Sequence, residues 1–157
     1  MKVEYANIFI RSAADVFKKE INITLTRQQL SKKESAIPGL PMCIILGITG
    51  SLRGQVVYAM DSGFAYQVAR KLLPNKLPVE IKKLENSAVA EIANVITGQA
   101  SIALAGETEK IHLTPPAVFS GTDMHVDFLA IPTISLRMLS EIGVLEINVA
   151  LLDGDGK

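Results

Sequence analysis

The sequence predicts an α+β protein in which helices are layered on an antiparallel sheet. Three observations predict it. Apolar residues recur at helical spacing over residues 3–20 and in two later segments. Other apolar runs are short and strand-like. In the second half these runs follow one another through short turns, where a parallel sheet would need a helical crossover between nearly every pair. With 157 residues, 48% of them hydrophobic, the chain can bury one substantial core. One domain over residues 1–152 is therefore expected, followed by a frayed tail, Asp153-Gly154-Asp155-Gly156-Lys157.

Each element has its own signature. Over residues 3–20, Ala6, Phe9, Ile10, Ala13, Val16 and Phe17 share one stripe, with Asn7, Arg11 and Lys18 opposite. A polar stretch, Gln28 to Ser35, comes next. The apolar segment Cys43 to Thr49 and the strand-like segment Gln55 to Met60 flank turn residues at 50–54, which reads as a hairpin. Asp61 or Ser62 can cap a second helix, in which Phe64, Val68 and Leu72 recur on one face and which Pro74 stops. Residues 74–78 read as a loop. The longest helical pattern runs from Lys83 to about Gly106. Strand-like segments follow near 108–118, 123–131, 133–139 and 144–151, separated by Ser120-Gly121 and by Glu141-Ile142-Gly143.

Composition removes several functions. Sixteen basic residues balance sixteen acidic ones without long blocks of either sign, so neither nucleic acid nor a membrane surface is an expected partner. The amino terminus has Glu4 where a secretory signal would begin its apolar core, and no charge-free stretch reaches about 18 residues. A soluble, cytoplasmic protein is expected. Cys43 is the single cysteine and sits in an apolar run, which excludes an intrachain disulfide and marks it as core. His112 and His125 lie in different predicted strands and lack zinc spacing or the partners of a Ser-His-Asp triad.

The long helix carries the candidate chemistry. At about 100° per residue, Leu84, Val89, Ile92, Val95, Ile96, Ala100, Ile102 and Ala103 fill one arc, which is expected to be buried. The opposite arc holds Ser87, Glu91, Asn94, Gly98, Ser101 and Ala105. Glu91 and Asn94 are three residues apart, placing their Cβ atoms about 5–6 Å from each other. Ser87, Gly98 and Ser101 around them are small, so a flat partner surface could approach closely. No charge appears between Ile92 and Gly106. Taken alone, the pair also fits a solvated carboxylate beside a tolerated amide, and Glu-x-x-Asn is a weak pattern: Glu4-Tyr5-Ala6-Asn7 repeats it without the preceding Ser or the following Gly.

The run Ser87-Ala88-Val89-Ala90-Glu91-Ile92-Ala93-Asn94, followed by Gly98 and later by Pro115-Pro116, resembles the signature of the CheC/CheX/FliY family of chemotaxis phosphatases. The segments Gly47 to Gly54 through Tyr58, and Thr114 to Gly121, resemble CheX in the same order. Because the first copy of the motif is incomplete, the resemblance is closest to members with one phosphatase helix, the CheX type. It implies dephosphorylation of the aspartyl phosphate of a CheY-like response regulator. It further implies that Asn94 positions the attacking water and that Glu91 pairs with a partner lysine. The partner, not this chain, would hold Mg2+, so no cofactor or metal is expected here. A homodimer is also implied, and an open antiparallel sheet has edges to pair; only monomer in sedimentation at micromolar concentration would contradict it. Two other readings stay open: a non-catalytic docking module for a phosphorylated receiver domain, and a small-molecule pocket between sheet and helices with Tyr58 or His112 as polar contacts.

Overall fold

A computed structural model describes residues 3–33, 37–38, 40–106, 110–127 and 131–153. Helix α1, Val3–Ile21, is amphipathic: Ala6, Phe9, Ala13, Val16 and Phe17 are buried, while Arg11, Lys18 and Lys19 are exposed. It ends at Asn22, whose positive φ of 55° lets its N–H donate to Lys18 O (3.1 Å) and that of Ile23 to Phe17 O (3.2 Å). Strands β1 (Thr26–Lys33) and β2 (Ile37–Pro38) follow. The hairpin expected from the sequence is β3 (Met42–Gly50) and β4 (Leu52–Met60). Helix α2 spans Ser62–Leu72, and Asp61 caps it by accepting from Phe64 N at 2.7 Å.

Helix α3 runs from Pro78 to Ala105 and begins five residues before the expected start. Proline at the first helical position sacrifices no hydrogen bond, so Pro78 opens this helix and does not prolong the loop. The chain closes with β5 (Ile111–Leu113), β6 (Ala117–Ser120), β7 (His125–Val126), β8 (Thr133–Ser140) and β9 (Gly143–Asp153). Asp153 therefore ends a strand, and the remainder of the expected tail, 154–157, lies outside the described residues. The expected strand near 123–131 is reduced to β7, with 128–130 also outside them.

Among the described residues the main sheet has seven antiparallel strands in the order β1-β8-β9-β4-β3-β5, with β6 also paired to β3. The helices cover one face. Alternate residues of the strands meet them: Ile44, Leu46 and Ile48 from β3, Val56, Tyr58 and Met60 from β4, and Leu145, Ile147 and Val149 from β9. On the other face Cys43, Val57, Ala59 and Ala150 form a smaller cluster, partly covered by Met124, Val126 and Ile131. Burial raises the pKa of the Cys43 thiol, with the Glu146 carboxylate adding to the shift. Here the pair β2–β7 lies apart as a small second sheet.

The sequence Thr114-Pro115-Pro116 separates β5 from β6 along one edge of β3. Prolines cannot donate to a ladder, and the gap is bridged by Thr114. Its N–H donates to Gly47 O (3.0 Å), and its Oγ1 accepts from Gly47 N (2.7 Å). Gly47 is bare because a Cβ there would stand 2.9 Å from Thr114 Cγ2. Two of the segments that carry the family resemblance thus meet at a structural joint.

By length and composition α3 could cross a membrane. Its apolar side instead packs into the core through Ile81, Val89, Ile92, Ile96 and Ala100.

Candidate functional site

The buried arc of α3 comprises Ile81, Glu85, Ala88, Val89, Ile92, Ala93, Ile96, Thr97 and Ala100. This arc is rotated by about 50° from the one expected from hydrophobicity. Leu84, Ile102 and Ala103, expected inside, are exposed, and Ile102 retains 75% of its surface. Two polar residues replace them in the interior. Glu85 is buried with its Oε2 3.0 Å from Lys82 Nζ. Thr97 is fully buried, donates from Oγ1 to Ala93 O at 2.8 Å, and meets Tyr58 Oη at 2.7 Å.

Glu91 stands at the crest of the exposed side, and Asn94, one turn on, is partly buried. Among the described residues neither side chain has a hydrogen-bond or ion-pair partner. A carboxylate and an amide left without internal partners on a well-packed helix are available to another molecule. Ser87 is exposed beside them, and Ser101 turns its hydroxyl back to Gly98 O at 2.8 Å. The structure therefore brings Ser87, Glu91, Asn94, Gly98 and Ser101 onto one surface.

Gly98 is the informative member. Glycine inside a helix costs about 0.5–1 kcal/mol relative to alanine, yet a Cβ at this position would meet nothing within 4 Å. No internal packing among the described residues requires the glycine, and the bare backbone leaves room for close approach from outside. Gly98→Ala is expected to raise stability by about 0.5–1 kcal/mol while weakening partner-dependent activity. Thermal denaturation alongside an activity assay checks this; a variant both more stable and fully active would show that the bare backbone serves nothing.

Hydrophobicity alone missed the apolar members of this surface. Leu84 and Ile102 lie within about 20° of Glu91 around the axis, whereas Val95, within about 40°, is partly buried against the core. The exposed pair marks a crest that extends about 27 Å from Leu84 to Ile102. A helical wheel centred on Glu91 contains that signal. The second Glu-x-x-Asn copy is also on the surface, with Glu4 exposed and Asn7 partly buried on α1.

A small-molecule site at Tyr58 has no room in the core. The gap between sheet and helices lined by Tyr58, Phe64 and Ile96 measures about 10 Å3, at the lower limit for one water molecule. Tyr58 is sealed inside it, and His112 is exposed on the edge strand β5. Larger concavities of about 480 Å3 lie between the ends of α1 and α2, and beside the first turns of α3, but neither is lined by Glu91 or Asn94.

Comparison with known proteins places these features in a wider set. The family model described as chemotaxis phosphatase CheX matches residues 42–134. The CheY-P phosphatase CheX of Thermotoga maritima is 28% identical over 98 residues, which are 62% of this chain and 63% of that protein. The chain thus spans under two thirds of that relative's length. A crystal structure of a chemotaxis protein CheX from Desulfovibrio desulfuricans superposes with a TM-score of 0.82 at 22% identity, covering 95% of this chain and 98% of that one. A chain of the CheX-CheY-BeF3-Mg2+ complex from Borrelia burgdorferi is similar, with a TM-score of 0.76 at 23% identity, covering 96% of this chain and 99% of that one.

Proposed function

Because the chain belongs to the CheX family of chemotaxis phosphatases, we propose that it removes the phosphoryl group from the aspartyl phosphate of a CheY-like response regulator in the cytoplasm. The observation that carries the proposal is the Glu91–Asn94 pair, without a partner among the described residues, on the exposed side of a core-packed helix. The curated relative from Thermotoga maritima is named for this activity.

Phosphoryl transfer asks a protein mainly for positioning and charge stabilisation. The carboxamide of Asn94 both donates and accepts hydrogen bonds without titrating, and so can hold a water in line with the phosphorus. Water attacks phosphorus, the P–O bond to the aspartate breaks, and the partner's carboxylate leaves with the electron pair. A carboxylate leaving group needs no general acid. Glu91, one turn earlier, is placed to pair with a lysine of the partner. The Mg2+ that neutralises the phosphoryl oxygens is assigned to the partner's acidic pocket, and no cofactor is assigned to this chain.

Leu84 and Ile102 extend the docking surface beyond the polar pair. Such an apolar flank excludes water from the contact and contributes affinity without chemistry. The test is the decay of a phosphorylated CheY-like receiver with and without the protein. Wild-type protein is expected to accelerate decay catalytically. Ile102→Asp, which places a charge on the apolar flank, is expected to raise the half-saturating receiver concentration about tenfold and leave the maximal rate near wild type. Binding of phosphorylated receivers without accelerated decay would overturn the catalytic reading in favour of a docking module.

A further inference from the structure

The apolar contacts that hold α3 on the sheet set its depth but are non-directional. They discriminate weakly between settings that differ by a small rotation about the helix axis. Asn94 can orient a water only if that rotation is fixed, since one residue step carries a side chain through about 100°.

Among the described residues one hydrogen bond joins the buried side of α3 to the sheet. It links Tyr58 Oη on β4 to Thr97 Oγ1 at 2.7 Å, with both residues fully buried. The direction follows from counting protons. Thr97 has one hydroxyl hydrogen and donates it to Ala93 O at 2.8 Å, so Tyr58 donates to Thr97. Burial holds the Tyr58 phenol far above its ordinary pKa, which keeps the donor proton in place at any working pH.

Both ends of this tie are well anchored. Strand β4 is interior, paired on one side with β3 and on the other with β9. On the helix the tie engages Thr97, three residues beyond Asn94, and Ala93, directly before it. The turn that presents Asn94 outward is thus the turn held from within.

We propose that Tyr58 and Thr97 are positioning residues, which fix the rotation of α3 and thereby aim Asn94 at the partner's phosphoryl group. This rests on the phosphatase reading above, and the pair touches neither partner nor water.

The experiment compares wild type, Tyr58→Phe, Thr97→Val and Thr97→Ser in the decay of a phosphorylated CheY-like receiver over a range of receiver concentrations. Tyr58→Phe keeps the ring and removes only the donor. Its maximal rate is expected to fall on the order of tenfold, with the half-saturating concentration within about twofold of wild type and the circular dichroism spectrum unchanged. Thr97→Val is expected to fall similarly, whereas Thr97→Ser, which keeps the hydroxyl, is expected to retain the rate. A wild-type maximal rate for folded Tyr58→Phe would overturn the proposal. Should Tyr58→Phe fail to fold, the threonine pair decides: Thr97→Ser as slow as Thr97→Val would overturn it equally. Wild-type protein that accelerates no receiver's decay is a different result, which overturns the phosphatase reading itself.

Discussion

Asn94→Ala is expected to reduce the maximal rate of receiver dephosphorylation by about a hundredfold or more, because losing the group proposed to position the nucleophile would forfeit most of the advantage of orientation. Docking is expected to survive. The substitution removes one short side chain from a crest about 27 Å long and leaves Glu91, Leu84 and Ile102 in place. The fold is expected to survive as well. Asn94 has no internal partner among the described residues, and alanine is the better helix former by up to about 0.7 kcal/mol. A fall in rate therefore cannot be ascribed to unfolding. Glu91→Ala serves as the contrast, since removing the charge proposed to pair with a partner lysine is expected to weaken docking and turnover together. The measurement is receiver decay at saturating and subsaturating concentrations. Equal loss of binding and of maximal rate in both variants would contradict the division of labour between the two residues.

Much of this surface was legible in the sequence because its signals are local. Glu91, Asn94, Ser87, Gly98 and Ser101 share one arc of a single helix, and helical periodicity alone places them together. The burial of that helix was less legible. Leu84 and Ile102 are apolar, and their spacing predicts core, yet both are exposed; Glu85 and Thr97 are polar, yet both are buried. A helix that is apolar over most of its circumference does not declare which side meets the sheet and which meets a partner.

Polar pairing supplies what hydrophobicity lacks. The bond between Tyr58 and Thr97 joins residues 39 positions apart, so only the folded chain reveals that Thr97 belongs inside. Strand β1 escaped for a related reason. Thr26-Arg27-Gln28-Gln29-Leu30-Ser31-Lys32-Lys33 carries one aliphatic residue and three basic ones, the composition of an edge strand guarded against further pairing. Its register comes from antiparallel pairing with β8, interrupted by an irregularity between Arg27 and Gln29, and not from any pattern of its own.

Gly54→Ala is the substitution expected to harm the fold most, and it separates two uses of glycine in this chain. Gly54 lies in β4, opposite Leu151 of β9 on one side and Ile48 of β3 on the other. Its φ of 151° is one that residues with a Cβ rarely adopt. A Cβ built there would stand 1.8 Å from the carbonyl oxygen of Ala150 and 2.9 Å from its carbon. Those atoms belong to backbone in the adjoining strand, so they cannot swing aside as the end of a flexible side chain could. Relief requires parting β4 from β9 near the middle of the sheet. The expected destabilisation is about 3 kcal/mol, which for a chain of this size lowers Tm by about 6–12 °C. Thermal denaturation checks it, and a Tm within about 2 °C of wild type would reject the backbone clash. Gly98→Ala is expected to move stability the opposite way, because the space beside Gly98 is open. One glycine is bare so that two strands of the same chain can meet. The other has no internal neighbour to accommodate, and the proposed docking gives it a use that the fold does not.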